Sequence, residues 1–78
     1  MSSARELVEY IAKALVDEPE AVQVEEITER GVPLVTLHVA PDDRGRVIGK
    51  SGRTAHAMRT LLGIATVSGE APSLEIID

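Results

Sequence analysis

The feature that most limits what this chain can fold into is a pair of glycines, Gly49 and Gly52, set between two stretches of helical pattern. Val47 and Ile48 precede the pair, while Ala55, Met58, Leu61, Leu62 and Ala65 follow it at the three- and four-residue steps of one helix face. This spacing predicts a short helix over about residues 43–48, capped by Asp42 or Asp43, then a tight turn and a longer helix over about residues 52–65. A turn without side chains at two positions lets another molecule approach the backbone closely. The following helix adds unpaired N–H groups and the positive end of its dipole, so the corner suits an anion, and a nucleic-acid phosphate is the anion expected. Glycines at a helix–turn–helix corner also serve its geometry alone, so the pair by itself leaves both readings open.

Charge is segregated along the chain. Arg44, Arg46, Lys50, Arg53 and Arg59, with His56, lie in a segment that contains no acid. Residues 1–43 carry three basic and ten acidic side chains, and residues 60–78 carry three acidic and no basic ones. The molecule therefore has a net charge of −5 and one basic segment, and it is the local potential of that segment that steers a phosphate. Any one of these cations, taken alone, is equally consistent with a solvated helix surface.

Composition removes several alternatives. Seventy-eight residues make one domain, spanning 1–78, which buries only roughly 60–65% of its unfolded surface. Tyr10 is the only aromatic residue, so the stacking platforms of RNA-recognition-motif sheets and OB folds are excluded. With no cysteine there is no disulfide, thiolate metal site or cysteine nucleophile. The N-terminal residues lack the apolar core of a signal peptide, and no apolar run reaches the roughly 18–20 residues that span a bilayer, so a cytoplasmic location is expected.

Upstream, Ser3 and Glu6 form a capping box ahead of Ala4, Leu7, Val8, Ile11, Ala14 and Leu15, predicting a helix over about residues 3–16. Tyr10 is expected to pack at its edge, and Pro19 ends the element. Residues 21–25 alternate as a strand, and Glu26-Ile27 breaks the phase, so a bulge or twist is expected there before the strand ends near Thr28 or Glu29. Arg30-Gly31 supplies a turn into a second strand over 34–40, with Val35, Leu37 and Val39 inward, and with Glu25, Glu26 and Glu29 on the far side of the hairpin. Gly69 to Pro72 reads as a turn, and residues 73–78 as a last strand with Leu74 and Ile76 inward and Ile77 outward or at an interface. The expected fold class is α+β, a two-layer arrangement of three strands covered on one face by three helices, in the order α-β-β-α-α-β.

At this point Val47-Ile48-Gly49-Lys50-Ser51-Gly52-Arg53 resembles the signature of the KH domain, and the element order resembles its prokaryotic type II form. The match runs over essentially the whole chain. With Ala40-Pro41-Asp42-Asp43 ahead of the signature, it is most similar to the bacterial single-domain KhpA family. That resemblance implies binding of single-stranded RNA, about four nucleotides being clamped by the glycine loop, in the work of a post-transcriptional regulator or RNA chaperone. By position, Gly49, Lys50, Ser51 and Gly52 would form the clamp, and Val47 and Ile48 would lie at or under an aliphatic groove. Arg53 and His56 would line one wall, with an edge of the second strand near Leu37 to Val39 along the other, and Arg46 is counted with the binding residues. The family also pairs, which implies a homodimer or a heterodimer with a larger KhpB-like KH protein. No cofactor, metal, membrane or small-molecule substrate is implied. Ser51 stands where a glycine or a longer polar residue is commoner, a difference expected to bear on affinity.

Rival readings are weaker. Gly45 to Ser51 ends in the Gly-Lys-Ser of a phosphate loop, but three residues separate Gly45 from Gly49 where that loop needs four, and Pro41-Asp42-Asp43 stands where it needs a strand. His38 has no second ligand at metal spacing, and no paired carboxylates or nucleophile–base pair suggest an enzyme. The alternative that competes is a protein-interaction module of KH shape, acting mainly as the dimerisation partner of another KH protein.

Overall fold

Apolar side chains at helical spacing in three segments, and at alternating spacing in three others, generate the α-β-β-α-α-β order in this computed structural model, which describes residues 3–65 and 72–77. The elements are α1 (Ser3–Leu15), β1 (Gln23–Glu29), β2 (Val32–His38), α2 (Arg44–Ile48), α3 (Arg53–Ala65) and β3 (Ser73–Ile77). Single 3-10 turns at Pro19–Ala21, Pro41–Asp43 and Lys50–Gly52 connect them. Ser3 is already helical and its side chain, like the expected turn at Gly69 to Ala71 and the terminal Asp78, lies outside the described residues, as does the side chain of Ala65.

β2 is central. It runs antiparallel to β1, from Gln23 opposite His38 to Glu29 opposite Val32, and parallel to β3, from Leu34 opposite Ser73 to His38 opposite Ile77. The hairpin turns through Arg30 and Gly31, both in left-handed backbone (φ 53° and 81°), the geometry whose twist suits a two-residue connection. Pro33 is tolerated within β2 because β3 starts pairing only at Leu34, so its missing N–H costs no bond on that side.

The core lies between the sheet and the helices. Val8 and Ala12 of α1, Val35 and Leu37 of β2, Val47 of α2 and Met58 and Leu62 of α3 are all essentially inaccessible, with Val24 and Leu74 closing it from the outer strands. Each edge strand is also tied to a helix by an arginine: Arg5 Nε donates to the Val24 carbonyl (3.0 Å) and an Arg59 guanidinium nitrogen to that of Leu74 (3.3 Å). On α1, Glu9 bridges Lys13 and Arg5, and the hydrogen bond from Lys13, with the charges of both, holds its carboxyl below the usual carboxylate range.

Several local expectations are corrected. The pairing of β1 with β2 is continuous, with no bulge at Glu26-Ile27. Glu25 through Glu29 are all exposed, so the chain can break its polar–apolar alternation there without leaving the ladder. Because Glu26 pairs with inward Val35, it shares the helix-side face of the sheet, while Glu25 and Glu29 take the open face. β2 begins earlier and ends earlier than expected, leaving Val39 and Ala40 buried beyond its end. Tyr10 is 76% exposed rather than packed at the helix edge, and Ala12 rather than Ala14 lies inward. Leu61 is exposed where an inward position was expected.

Candidate nucleic-acid interface

The corner between α2 and α3 owes its shape to its two glycines. Gly49 ends α2 by donating its N–H to the Gly45 carbonyl (2.8 Å), with φ 79° and ψ 168°, a conformation essentially confined to glycine. A side chain there would also run into Thr54, whose hydroxyl, Cβ and backbone nitrogen occupy the space a Cβ needs, the last two at 2.8 Å. Gly52 has φ 76° but open space around it, so backbone conformation alone selects glycine at that position. Ser51 between them is also left-handed (φ 58°), which a short polar residue tolerates better than a branched one.

Gly52 N–H donates to the Gly49 carbonyl (3.1 Å) and Arg53 N–H to that of Lys50, which tightens the turn. Lys50 and Ser51 open the 3-10 turn, so their N–H groups have no acceptor within it. Both residues are exposed, so two adjacent donors stand at the tip of the corner, at the N-terminus of a 13-residue helix. Successive free amides of this kind form a concavity for an anion, and the helix dipole reinforces it.

The expected site residues divide into groups. Lys50, Arg53 and His56 are exposed and make no ion pair among the described residues. Arg53 and His56 are three apart on the outer side of α3, and Thr60 continues that side, its hydroxyl donating to the His56 carbonyl (3.1 Å). Ile48 is half-buried beside the turn, whereas Val47 is fully buried and supports the corner from beneath. Arg46 is held by carboxylates, at 2.9 Å from Asp17 and 3.3 Å from Asp43. The expected second wall is corrected: β2 is paired on both sides through His38, and Leu37 and Val39 are buried, so it offers no free edge.

Three supporting residues escaped sequence reasoning. Thr54 fills the space behind Gly49. Arg59 lies within the basic segment, yet its guanidinium joins α3 to β3. Asp43, expected to cap α2, is 2% exposed and makes no capping bond. Its two carboxylate oxygens instead accept the N–H groups of Asp17 (3.2 Å) and Glu18 (3.1 Å), and the first also receives Arg46, locking the end of α1 to the start of α2. Of its partners only Arg46 is near in sequence, and the two amides it accepts lie 26 and 25 residues away.

Among known families, the model for the KH domain of KhpA/KhpB matches residues 5–76. An RNA-binding protein KhpA from Caldanaerobacter subterraneus is 55% identical over 80% of this chain and 83% of its own. The protein of the same name from Treponema pallidum is 47% identical over 94% and 92%, and that from Mycobacterium bovis 44% over 91% and 86%.

Proposed function

The chain belongs to the KhpA/KhpB KH-domain family, and from that premise we propose that residues 1–78 form one type II KH domain that binds single-stranded RNA at the Gly49 to Gly52 turn. The observation that carries this reading is the exposed glycine turn, whose first amides at Lys50 and Ser51 have no acceptor within it, flanked by cationic side chains that make no ion pair among the described residues. RNA phosphates sit on the turn, Lys50 and Arg53 supply charge, and His56 extends the strip along α3. Ile48 gives an aliphatic surface under the bases, about four nucleotides being held in all. Val47 acts from below, and Arg46, occupied by Asp17 and Asp43, contributes little. Such a site binds rather than catalyses, in keeping with relatives named as RNA-binding proteins, and suits a cytoplasmic post-transcriptional regulator or RNA chaperone.

The test is the salt dependence of binding, followed by fluorescence anisotropy with a labelled RNA of mixed sequence. A clamp on two to four phosphates gives a log–log slope of about −1.5 to −3. A slope near zero would remove the phosphate contacts and the proposal with them.

A second reading, pairing with another copy or with a larger KhpB-like protein, is favoured by Ile64 and Leu61 on α3, which are 75% and 42% exposed. Apolar side chains so placed lower the free energy of an assembly that covers them, and two linked clamps raise avidity. Light scattering across a concentration series reads the mass directly, and Ile64→Glu shifts it toward the monomer if this surface is used.

A further inference from the structure

The sheet face turned away from the helices has no role in the RNA reading, and its chemistry is opposite to that of the turn. Across its middle row, Glu25, Thr36 and Glu75 are opposite one another in adjacent strands, so their side chains share this face. Thr36 is only 7% exposed, yet its hydroxyl makes no hydrogen bond among the described residues. Half-exposed Ile27 and Leu34 border the row on one side, and Gln23, His38 and Ile77 border it on the other. A largely covered threonine whose hydroxyl makes no hydrogen bond among the described residues, between two exposed carboxylates and beside aliphatic surface, matches a side chain with an apolar stem and a cationic head.

We propose that the open face of the sheet docks a basic, aliphatic-rich segment of another polypeptide, with one lysine or arginine over Thr36 between Glu25 and Glu75. Charge complementarity selects this occupant. The carboxylates repel RNA, and with no aromatic side chain on the described strands there is nothing for bases to stack on. Since the helices lie on the opposite face, docking here leaves the Gly49 to Gly52 turn free. The domain then joins an RNA to a basic protein.

The test titrates the isotope-labelled full chain with a blocked five-residue peptide of alternating valine and arginine, and maps amide shifts by NMR. A matching peptide with glutamate for arginine is the control. Saturable shifts confined to β1, β2 and β3 are expected with the arginine peptide, absent with the control, and unchanged when an RNA oligonucleotide occupies the turn. Glu25→Gln with Glu75→Gln, both exposed positions, weakens the peptide about tenfold, and Thr36→Val weakens it about threefold while keeping the shape of the side chain. Peptide binding that fails to saturate, or that survives the loss of both carboxylates, overturns the proposal. So do strand shifts caused by RNA alone, which make the face a nucleic-acid surface, or by dilution alone, which give it to a second copy. Because the peptide is first titrated without RNA, the outcome of that titration is independent of whether the turn binds RNA.

Discussion

Helix α2 lies between two places where backbone N–H groups gather, and they are treated in opposite ways. Where α1 gives way to the sheet, the amides of Asp17 and Glu18 converge on the buried carboxylate of Asp43, and Arg46 adds its guanidinium to the same group. At the other end, the amides of Lys50 and Ser51 have no acceptor within the turn they open, and Lys50, Arg53 and His56 stand without acidic partners among the described residues. The donors are similar at both places. One place contains an anion supplied by the chain itself and is part of the scaffold. The other is left open at the surface and is available to an anion from outside.

The sharpest way to break this contrast is at the glycine that shapes the open corner. Gly49→Ala places a methyl group against Thr54 in a backbone conformation reserved for glycine, and is expected to cost about 3 to 4 kcal/mol in urea unfolding. Gly52→Ala meets only the conformational penalty, about 1 kcal/mol, because the space is open. Equal costs at the two glycines would contradict the distinction between them.

At the filled place, Asp43→Ala strands two amides and a guanidinium. A loss of about 2 to 3 kcal/mol is expected, with Asp43→Asn losing less because it keeps one acceptor oxygen. Neither change should alter the salt slope of RNA binding, measured on protein that remains folded.

The two arginines give the smallest and most discriminating comparison. Arg53→Gln is expected to weaken RNA binding about threefold and to reduce the magnitude of the salt slope by roughly 0.7, the signature of one lost phosphate contact. Arg46→Gln should leave affinity within about twofold and cost up to about 1 kcal/mol of stability, since its charge is already engaged by Asp17 and Asp43. The reverse ranking in anisotropy titrations would mean that Arg46 leaves its carboxylates to meet RNA.

These differences mark where sequence reasoning stops. The element order was legible because Val8, Val24, Leu37, Met58 and Leu62 each have one permissible side, and a misplaced period would expose them. At Glu26-Ile27 the alternation misled, since a strand segment exposed on both faces carries no burial constraint to fix its phase. Helical spacing puts Leu61 on the same face as Met58 and Leu62, although the α3 surface that meets the core is filled by Ala55, Met58 and Leu62, and Tyr10, expected at the edge of α1, is exposed. The glycine corner was legible because its backbone demands are local. The fates of Arg46 and Arg59 were not, because a guanidinium's partner is decided by folding: Asp17 and Leu74 are far along the chain and reach these arginines only once the helices pack.

The central claim is that free amides and unneutralised cations at the α2–α3 corner hold the RNA strand. The most direct measurement is filter binding of mixed-sequence RNA to the protein carrying Lys50→Asp and Ser51→Asp, two exposed positions at which aspartate accepts the local backbone. Binding is predicted to vanish while the unfolding midpoint stays within experimental scatter of the parent. RNA affinity retained by that folded variant would contradict the account.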